Sequence, residues 1–460
     1  MQVDERCLLD DGRRLHLLRC VRQLPGKREV WQGELDGQQV FAKFYLDLKR
    51  GKVHWQRELD GIKAFQSRGI PSAELCHAGS LRENGLPVIV LKALPEAESL
   101  KEAWESGNAP RRERLLREMM VLLARHHRAG LCQTDLHFGN FVIAQGVIHS
   151  LDGDGVKTVV GELNRECSLE NLGLFFAQLF PEWESKIPEL YSCYLEERGW
   201  NRESDCEPLL QQLAQARSRR WAERQGKLFR ECTAFICRKR EGGIEVLVRT
   251  DASPELEALL SNPDASFPGK ALALKNGNTC TVWAAQVNDL RLVIKRYNIK
   301  SLWHGIKLST REGRAFLSWV NAHRLLFYGI PTPRPVALVK IKRGAVKPVA
   351  YFITEQVDGV GSHQWFRDGN IPQASKAAMV EKIGHLFRQL GAQLISHGDL
   401  KASNILIVDQ QPVLIDLDAM QQHANKRSFR KAWEGDLQRF MQNWDDAPEL
   451  KELFNGLNLS

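Results

Sequence analysis

The chain has 460 residues, 43% of them hydrophobic and 26% charged, with a formal net charge of +8. Those values exclude wholesale disorder and leave room for two or three domains, each with its own core. The surplus of cations suits an acidic partner (nucleic acid, nucleotide, anionic lipid or phosphorylated sugar), or it simply keeps the chain in solution.

The N-terminal stretch MQVDERCLLDDGRRLHLLRC has acids where a secretory signal needs a basic segment and an apolar run. No run approaches the ~18–20 apolar residues of a membrane span. A cytoplasmic protein is therefore expected. Ten cysteines are scattered without a CxxC pair or a His at finger spacing. They read as reduced thiols, neither a zinc site nor a disulfide frame.

Residues 14–45 read as three strands, LHLLRCV, VWQGEL and QVFAKFY, parted by the turn-formers PGK and DG. Lys43 lies inside the third strand, between Ala42 and Phe44. A cation in an apolar strand is costly unless it meets an anion. A nucleotide phosphate and a carboxylate from the next helix would serve. That helix is HWQRELDGIKAFQSRG (54–69), with Trp55, Leu59, Ile62 and Phe65 as its apolar stripe. Glu58 is either the partner of Lys43 or a solvated helix acid. LPVIVLKAL (86–94) reads as a buried strand leading into a hinge, where backbone groups around Leu91–Ala93 would bond an adenine. A helix over 109–130 ends at Gly130 and leads into QTDLHFGN (133–140), a strand, and the acid Asp152. From 161 to 217 the pattern is helical. The stretch 216–243 is basic with interleaved Trp221, Phe229 and Phe235. It is expected to link two domains, either as a solvated basic helix and strand or as a patch for phosphate-rich substrate or lipid headgroups. No nucleic-acid-binding motif accompanies it.

From 272 the pattern of strands begins again. KNGNTCTV (275–282), with Gly277, stands where backbone amides could cover phosphates. Lys295 follows in LVIKRY, and a helix is expected over 309–328. At the place of Glu58 this helix has Ser318, which cannot pair with a Lys. The nearest acid, Glu312, is either the partner of Lys295 or the acid of a capping box with Ser309. PVAYFITEQVDG (348–359) reads as a second hinge strand, with Glu355–Val357 as the adenine contact. A helix over 380–396 runs into HGDLKASN (397–404), then VLIDLD (413–418) and a last helix over 429–444.

The two halves repeat. Asp135/Asp399, Asn140/Asn404, Asp152/Asp416 and Asp154/Asp418 share one offset (399 − 135 = 264), Gly69/Gly329 are offset by 260, and Lys43/Lys295 by 252. The drift falls in loops, as expected of two diverged copies of one domain. The expected boundaries are 1–215 for the first copy, 216–262 for the basic inter-domain segment and 263–460 for the second copy.

Each copy carries the groups that phosphoryl transfer from a Mg-nucleotide requires. Asp399 and Asp135 would accept or orient the proton of the attacking hydroxyl. Asn404 with Asp416, and Asn140 with Asp152, would hold the metal. Lys295, Lys43, Glu58, Gly277 and Lys401 are the candidate nucleotide contacts. Only 44 residues follow Asp416 (460 − 416 = 44), and no APE-like segment follows either second acid. A small-molecule, sugar or lipid-linked hydroxyl is therefore the expected acceptor.

Taken together, GNTCTVW, LVIKRYN, SWVNAHRLL, GIPTPRPVALV, HGDLKASNILI and IDLDAM resemble the bacterial lipopolysaccharide core kinases, the InaA-like group. The resemblance is dense over 263–444 and thinner over 14–180. It implies an α+β fold of two tandem protein-kinase-like bilobal domains, each with an antiparallel β N-lobe and a short helical C-lobe. It also implies ATP and Mg²⁺ as cofactors and a heptose or Kdo hydroxyl of the lipopolysaccharide inner core as acceptor. The partner would be the core oligosaccharide on lipid A, met by peripheral contact at the cytoplasmic face of the inner membrane, with no nucleic acid. The departures are Gln133 in place of His397, His137 in place of Lys401, and the missing helix acid of the second copy. A pseudokinase scaffold, or a kinase for another small hydroxyl, stands as the alternative.

Overall fold

In the computed structural model the described residues are 1–47, 50–201, 205–240, 243–269, 272–277, 280–297, 313–343 and 347–456. Glu312 and its capping box lie outside them. The chain forms two compact units, Met1–Leu179 with Trp183–Ser218, and Phe180–Glu182 with Arg219–Ser460. Both are α+β, with antiparallel sheets and packed helices.

The first unit opens with six antiparallel strands: β1 (Arg6–Leu8), β2 (Arg14–Leu24), β3 (Arg28–Leu35), β4 (Gln38–Tyr45), β5 (Leu75–Ser80) and β6 (Pro87–Lys92), in the order β1-β2-β3-β4-β6-β5. Strict alternation along β3 buries Glu29, Trp31, Gly33 and Leu35 on one face. The β3–β4 turn is Asp36-Gly37, both at positive φ, the backbone a two-residue hairpin demands. The sheet curls until its outer strands meet. Leu9 bridges Leu81, and Asp10 N and Arg82 N donate to Ser80 O and Leu8 O, both at 2.9 Å.

Helix α1 (Gly51–Ser67) lies between β4 and β5. It is followed by β7 (Glu98–Ser99), α2 (Leu100–Ser106) and α3 (Ala109–Arg128). Asn108 caps α3 by accepting from Arg111 N at 3.1 Å. Short strands β8 (Leu131–Gln133), β9 (Phe141–Ala144), β10 (Val147–Ser150) and β11 (Val156–Thr158) carry the loop QTDLHFGN and the acid that follows it. Helices α4 (Arg165–Phe176), α5 (Ile187–Arg198) and α6 (Glu207–Gln225) close the unit, and the division between units falls within α6.

The second unit has a seven-stranded antiparallel sheet of β12 (Phe235–Arg240), β13 (Gly243–Val248), β14 (Lys275–Asn276), β15 (Cys280–Val287), β16 (Leu290–Tyr297), β17 (Pro335–Arg343) and β18 (Lys347–Glu355), in the order β12-β13-β17-β18-β16-β15-β14. Here the structure differs from the expected inter-domain segment. Phe235–Arg240 and Gly243–Val248 pair as two strands of this sheet, because Phe235, Val246 and Leu247 bury in its core. Helices α7 (Pro254–Ser261), α8 (Arg314–Phe327), α9 (Ser362–Arg367), α10 (Gln373–Ala392), α11 (Lys426–Met441) and α12 (Pro448–Asn455) complete the unit. With them come β19 (Val360–Gly361), β20 (Ile395–Ser396), β21 (Ile405–Val408), β22 (Gln411–Leu414) and β23 (Gln421–Gln422). All ten cysteines are unpaired.

Candidate functional site

In the second unit HGDLKASN follows β20. The backbone N–H groups of His397, Gly398 and Leu400 donate to the carboxylate of Asp436, at 2.7, 3.0 and 3.4 Å. Asp436 stands on α11 and is 1% exposed. Such a buried charge is tolerated because backbone donors replace the water it loses. His397 is also buried, and burial lowers its pKa. Its Nε2 lies 3.0 Å from Ile415 O, which ties the loop to the segment carrying the second acid. Gly398 has φ +79, and a Cβ there would run into Ala419 O.

Asp399 is more open, its carboxylate 3.0 Å from Lys401 Nζ and 3.7 Å from Arg439 Nε. Asn404 donates Nδ2 to Asp399 O at 2.8 Å. That commits its nitrogen and leaves the amide oxygen available to a cation. The backbone O of Asn404 accepts from Ile415 N at 3.0 Å, which brings Asn404 beside Asp416.

Asp416 is in the left-handed region (φ 61, ψ 58). For a residue with a side chain this costs on the order of 1 kcal/mol and marks a position held by its surroundings. Its carboxylate pairs with Lys295 on β16. Asp418 also holds Lys295, at 3.0 Å, and accepts from Arg314 at 2.7 Å. Lys275 Nζ is 3.9 Å from Asp416. Burial alone would lower the pKa of the Lys295 ammonium, but Tyr297, Asp418 and Asp416 together raise it. Burial alone would raise Asp416, but Lys295 holds it low. Both directions describe an ionised pair. The acid that the second copy lacks on its helix is thus supplied by Asp418, two residues beyond Asp416. Ser318, at the place of Glu58, instead bonds the Tyr297 hydroxyl at 2.7 Å. Gly277 sits in the β14–β15 hairpin with its N–H committed to Cys280 O at 3.0 Å. Phosphate contact through that amide would require this bond to open.

In the first unit Lys43 on β4 pairs with Glu58 on α1 and approaches Leu151 O at 3.3 Å. Glu58 is fully buried, which decides between its two readings. Burial raises its carboxyl to about 7 against the pull of Lys43. Asp152 faces the same cation. Burial would raise it, but Lys43, a hydrogen bond from Glu58 and Arg28 hold it at about 2. Lys43 and Arg28 face the two carboxylates here, Arg28 3.9 Å from Glu58, whereas Asp416 and Asp418 share Lys295 and Asp418 also meets Arg314.

Asn140 is buried and donates Nδ2 to Asp135 O at 2.8 Å, and its own O accepts from Leu151 N at 2.9 Å. The geometry matches Asn404. Asp135, however, is 71% exposed at its side chain, with His137 3.7 Å away. The loop is braced by Asn171 of α4, which donates to Gln133 O at 2.8 Å and meets His127 at 3.0 Å. Gln133 donates to Asp152 O at 3.3 Å.

The expected hinges need adjusting in both units. The amides of Lys92 and Ala93 already bond Glu74 O and Gln39 O, and those of Glu355 and Gln356 bond Arg334 O and Arg291 O. Of Glu355–Val357, the Val357 amide is the one that these strand contacts leave to a ligand. Sequence reasoning also missed Asp418, Arg314 and Asp436. The signal for Asp418 was its place at the 264 offset from Asp154. Asp436 had no signal, since a helix acid gives no sign of the loop it faces.

Residues 271–451 match the model of the lipopolysaccharide kinase (Kdo/WaaP) family. The chain is 30% identical over 200 residues to a 3-deoxy-D-manno-octulosonic acid kinase of Xylella fastidiosa, an alignment covering 40% of this chain and 74% of the relative. A second kinase of that name from another strain is 28% identical over 200 residues, with the same coverage. A solved structure described as WaaP in complex with acyl carrier protein is 17% identical, covers 44% of this chain and 88% of that one, and gives a TM-score of 0.34. The chain belongs to the lipopolysaccharide kinase (Kdo/WaaP) family.

Proposed function

We propose that the chain is an ATP- and Mg²⁺-dependent phosphotransferase that phosphorylates a sugar hydroxyl of the lipopolysaccharide inner core, with the second unit as the reacting one. The observation that carries this reading is the meeting of Asp399, Asn404, Asp416 and Lys295 within one unit. The names of the relatives favour Kdo over heptose as the acceptor. The two units, Met1–Leu179 with Trp183–Ser218 and Phe180–Glu182 with Arg219–Ser460, are read as tandem kinase-like domains.

The donor set fits the cofactor. Asn404 and Asp416 offer hard oxygen ligands of the kind Mg²⁺ prefers. Bound there, the ion would neutralise charge on the phosphates. Lys295 is positioned to hold phosphate oxygens, and Asp418 keeps its ammonium charged and aimed. Asp399 orients the acceptor hydroxyl and takes its proton, while Lys401 steadies charge beside it. The Val357 amide suits an adenine nitrogen. In the first unit Lys43, Glu58, Asn140 and Asp152 offer the same set for a second nucleotide.

A lipid-linked acceptor would require peripheral membrane contact. No helix among the described residues is long and apolar enough to cross a membrane. The experiment is transfer from Mg-ATP to Kdo–lipid A and to its heptosylated form, read by mass spectrometry. One added phosphate, lost on chelation of Mg²⁺ and in Asp399→Ala, is expected. No phosphate on either acceptor would refute the reading. A second reading applies to the first unit alone. Its open Asp135 and the neutral brace Asn171 favour a nucleotide-binding regulator in which transfer itself is lost.

A further inference from the structure

The seam where the first unit's sheet closes on itself holds a group of side chains that neither loop uses. Asp10 and Asp11 lie in the turn between β1 and β2, and His77 lies on β5. One donor atom from each falls within 4.8 Å of the others. The His77 side chain is 6% exposed. Its Nε2 is buried and makes no hydrogen bond, although Asp10 Oδ1 is 3.2 Å away. The two atoms therefore stand side by side and out of line, which suits two ligands of a shared ion better than a donor and an acceptor. A buried ring nitrogen without a partner costs about 1–3 kcal/mol, which an ion would recover. Gly79 keeps the space open. A Cβ there would lie 2.6 and 2.5 Å from the two Asp10 oxygens and 2.8 Å from His77 Nε2.

The surroundings assign the other groups. Asp11 is held by Arg13, whose NH2 is 2.8 Å from its Oδ2, and Arg13 also reaches Cys76 O at 2.8 Å and His77 Nδ1 at 3.5 Å. Asp11 Oδ2 is 2.9 Å from His77 Nδ1. With Nε2 on an ion, Nδ1 would carry the proton and turn from the Arg13 guanidinium, its present hydrogen-bond partner, to Asp11, completing the carboxylate–histidine–metal relay that orients such ligands. Arg13 pairs with Asp11 and Asp36, and Arg82 reaches only the backbone O of Asp10, so three carboxylates stand against two guanidiniums and the seam keeps a negative balance. The Asp10 side chain is 45% exposed, which provides a way in for the ion and open positions for water.

We propose that Asp10 and His77, backed by Asp11, form a site for a divalent transition-metal ion of the zinc class at this seam. An imidazole nitrogen with a carboxylate favours such ions over Mg²⁺. The ion would link the two edge strands of the sheet, β1 and β5, and so stabilise the closed form of the first unit.

The test is equilibrium dialysis of the full chain against Zn²⁺ in millimolar Mg²⁺, comparing wild type with His77→Ala and Asp10→Asn. Wild type is expected to hold one more Zn²⁺ per chain than either variant. Its first unfolding transition should rise with Zn²⁺ while theirs does not. Thiol-bound zinc is common to all three chains and cancels. Circular dichroism identifies the variants that keep the native fold. Equal zinc uptake by wild type and a natively folded variant overturns the proposal, and Asp10→Asn carries the test alone if His77→Ala does not fold.

Discussion

The two units hold the same loop by opposite means. In the second unit the charged Asp436 receives three loop amides, from His397, Gly398 and Leu400. At the corresponding place in the first (436 − 171 = 265) the neutral Asn171 gives one hydrogen bond to the Gln133 carbonyl. A carboxylate that takes several N–H groups fixes their directions together, and Asp399 is held in a defined setting between Lys401 and Arg439. Asp135 projects into solvent, with His137 as its ion-pair neighbour among the described residues. The lysines differ in a parallel way. Lys43 takes its acid from the helix, Lys295 from the segment after the loop. What has persisted is a basic side chain on the helix facing the outer acid, His54 on Asp154 at 2.8 Å and Arg314 on Asp418 at 2.7 Å, at offsets of 260 and 264. A paired acid and base can thus be rebuilt from a different element, provided the new carboxylate comes from a segment already fixed next to the lysine.

The contrast predicts unequal consequences for equivalent substitutions. Asp399→Ala should lower phosphate transfer by ~10²–10⁴-fold, the usual worth of a positioned acid–base group. Asp135→Ala should leave it within about twofold. The reverse outcome in a steady-state assay would move the reaction to the first unit. Asp436→Asn removes the charge from a buried acceptor of three amides and should destabilise the second unit by about 3 kcal/mol, read from its denaturant midpoint.

At the next contact the units again differ. A Cβ on Gly61 would run into Gly153 O, so Gly61→Ala should cost the first unit about 2 kcal/mol. Its counterpart Asn321 fills the same place with a side chain that donates to Leu417 O and Met420 O at 3.0 and 2.9 Å. Asn321→Ala should cost the second unit about 1 kcal/mol for each carbonyl left bare. Asp418→Asn weakens the hold on Lys295. It should reduce kcat/KM by about tenfold, on the order of 1.4 kcal/mol. Asp154→Asn should change it little. Equal effects from the last pair would mean that Asp418 serves the fold and not Lys295.

Much of this was legible along the chain. Local rules produced β2, β3, β4 and β6 of the first sheet and β14, β15, β16 and β18 of the second, because alternation and turn-formers act within a few residues, whereas β1, β5, β13 and β17 went unread. The helix expected over 54–69 appears at Gly51–Ser67 and that over 109–130 at Ala109–Arg128. The constant offset paired Asp135 with Asp399 and Asn140 with Asn404, and the structure gives each pair the same Asn-to-Asp backbone bond. The basic stretch at 216–243 was read as a helix and a strand, which it contains, but its role as a linker was misjudged: β12 pairs with β13, which joins β17, a long-range event that composition does not record.

The sequence by itself determined the inventory: two lysines in strands, two Asp–Asn loops, two following acids, and the spacing that repeats them. Periodicity and chemistry are local, so they survive being read as text. Which acid neutralises which lysine was decided only in three dimensions. Ser318 looked like a gap until β16 and the 416–418 segment met and Asp418 filled it. Asp436, Asn171 and the His77 cluster likewise take their meaning from neighbours dozens of residues away. Burial sets how strongly those contacts act, and burial exists only once the chain has folded.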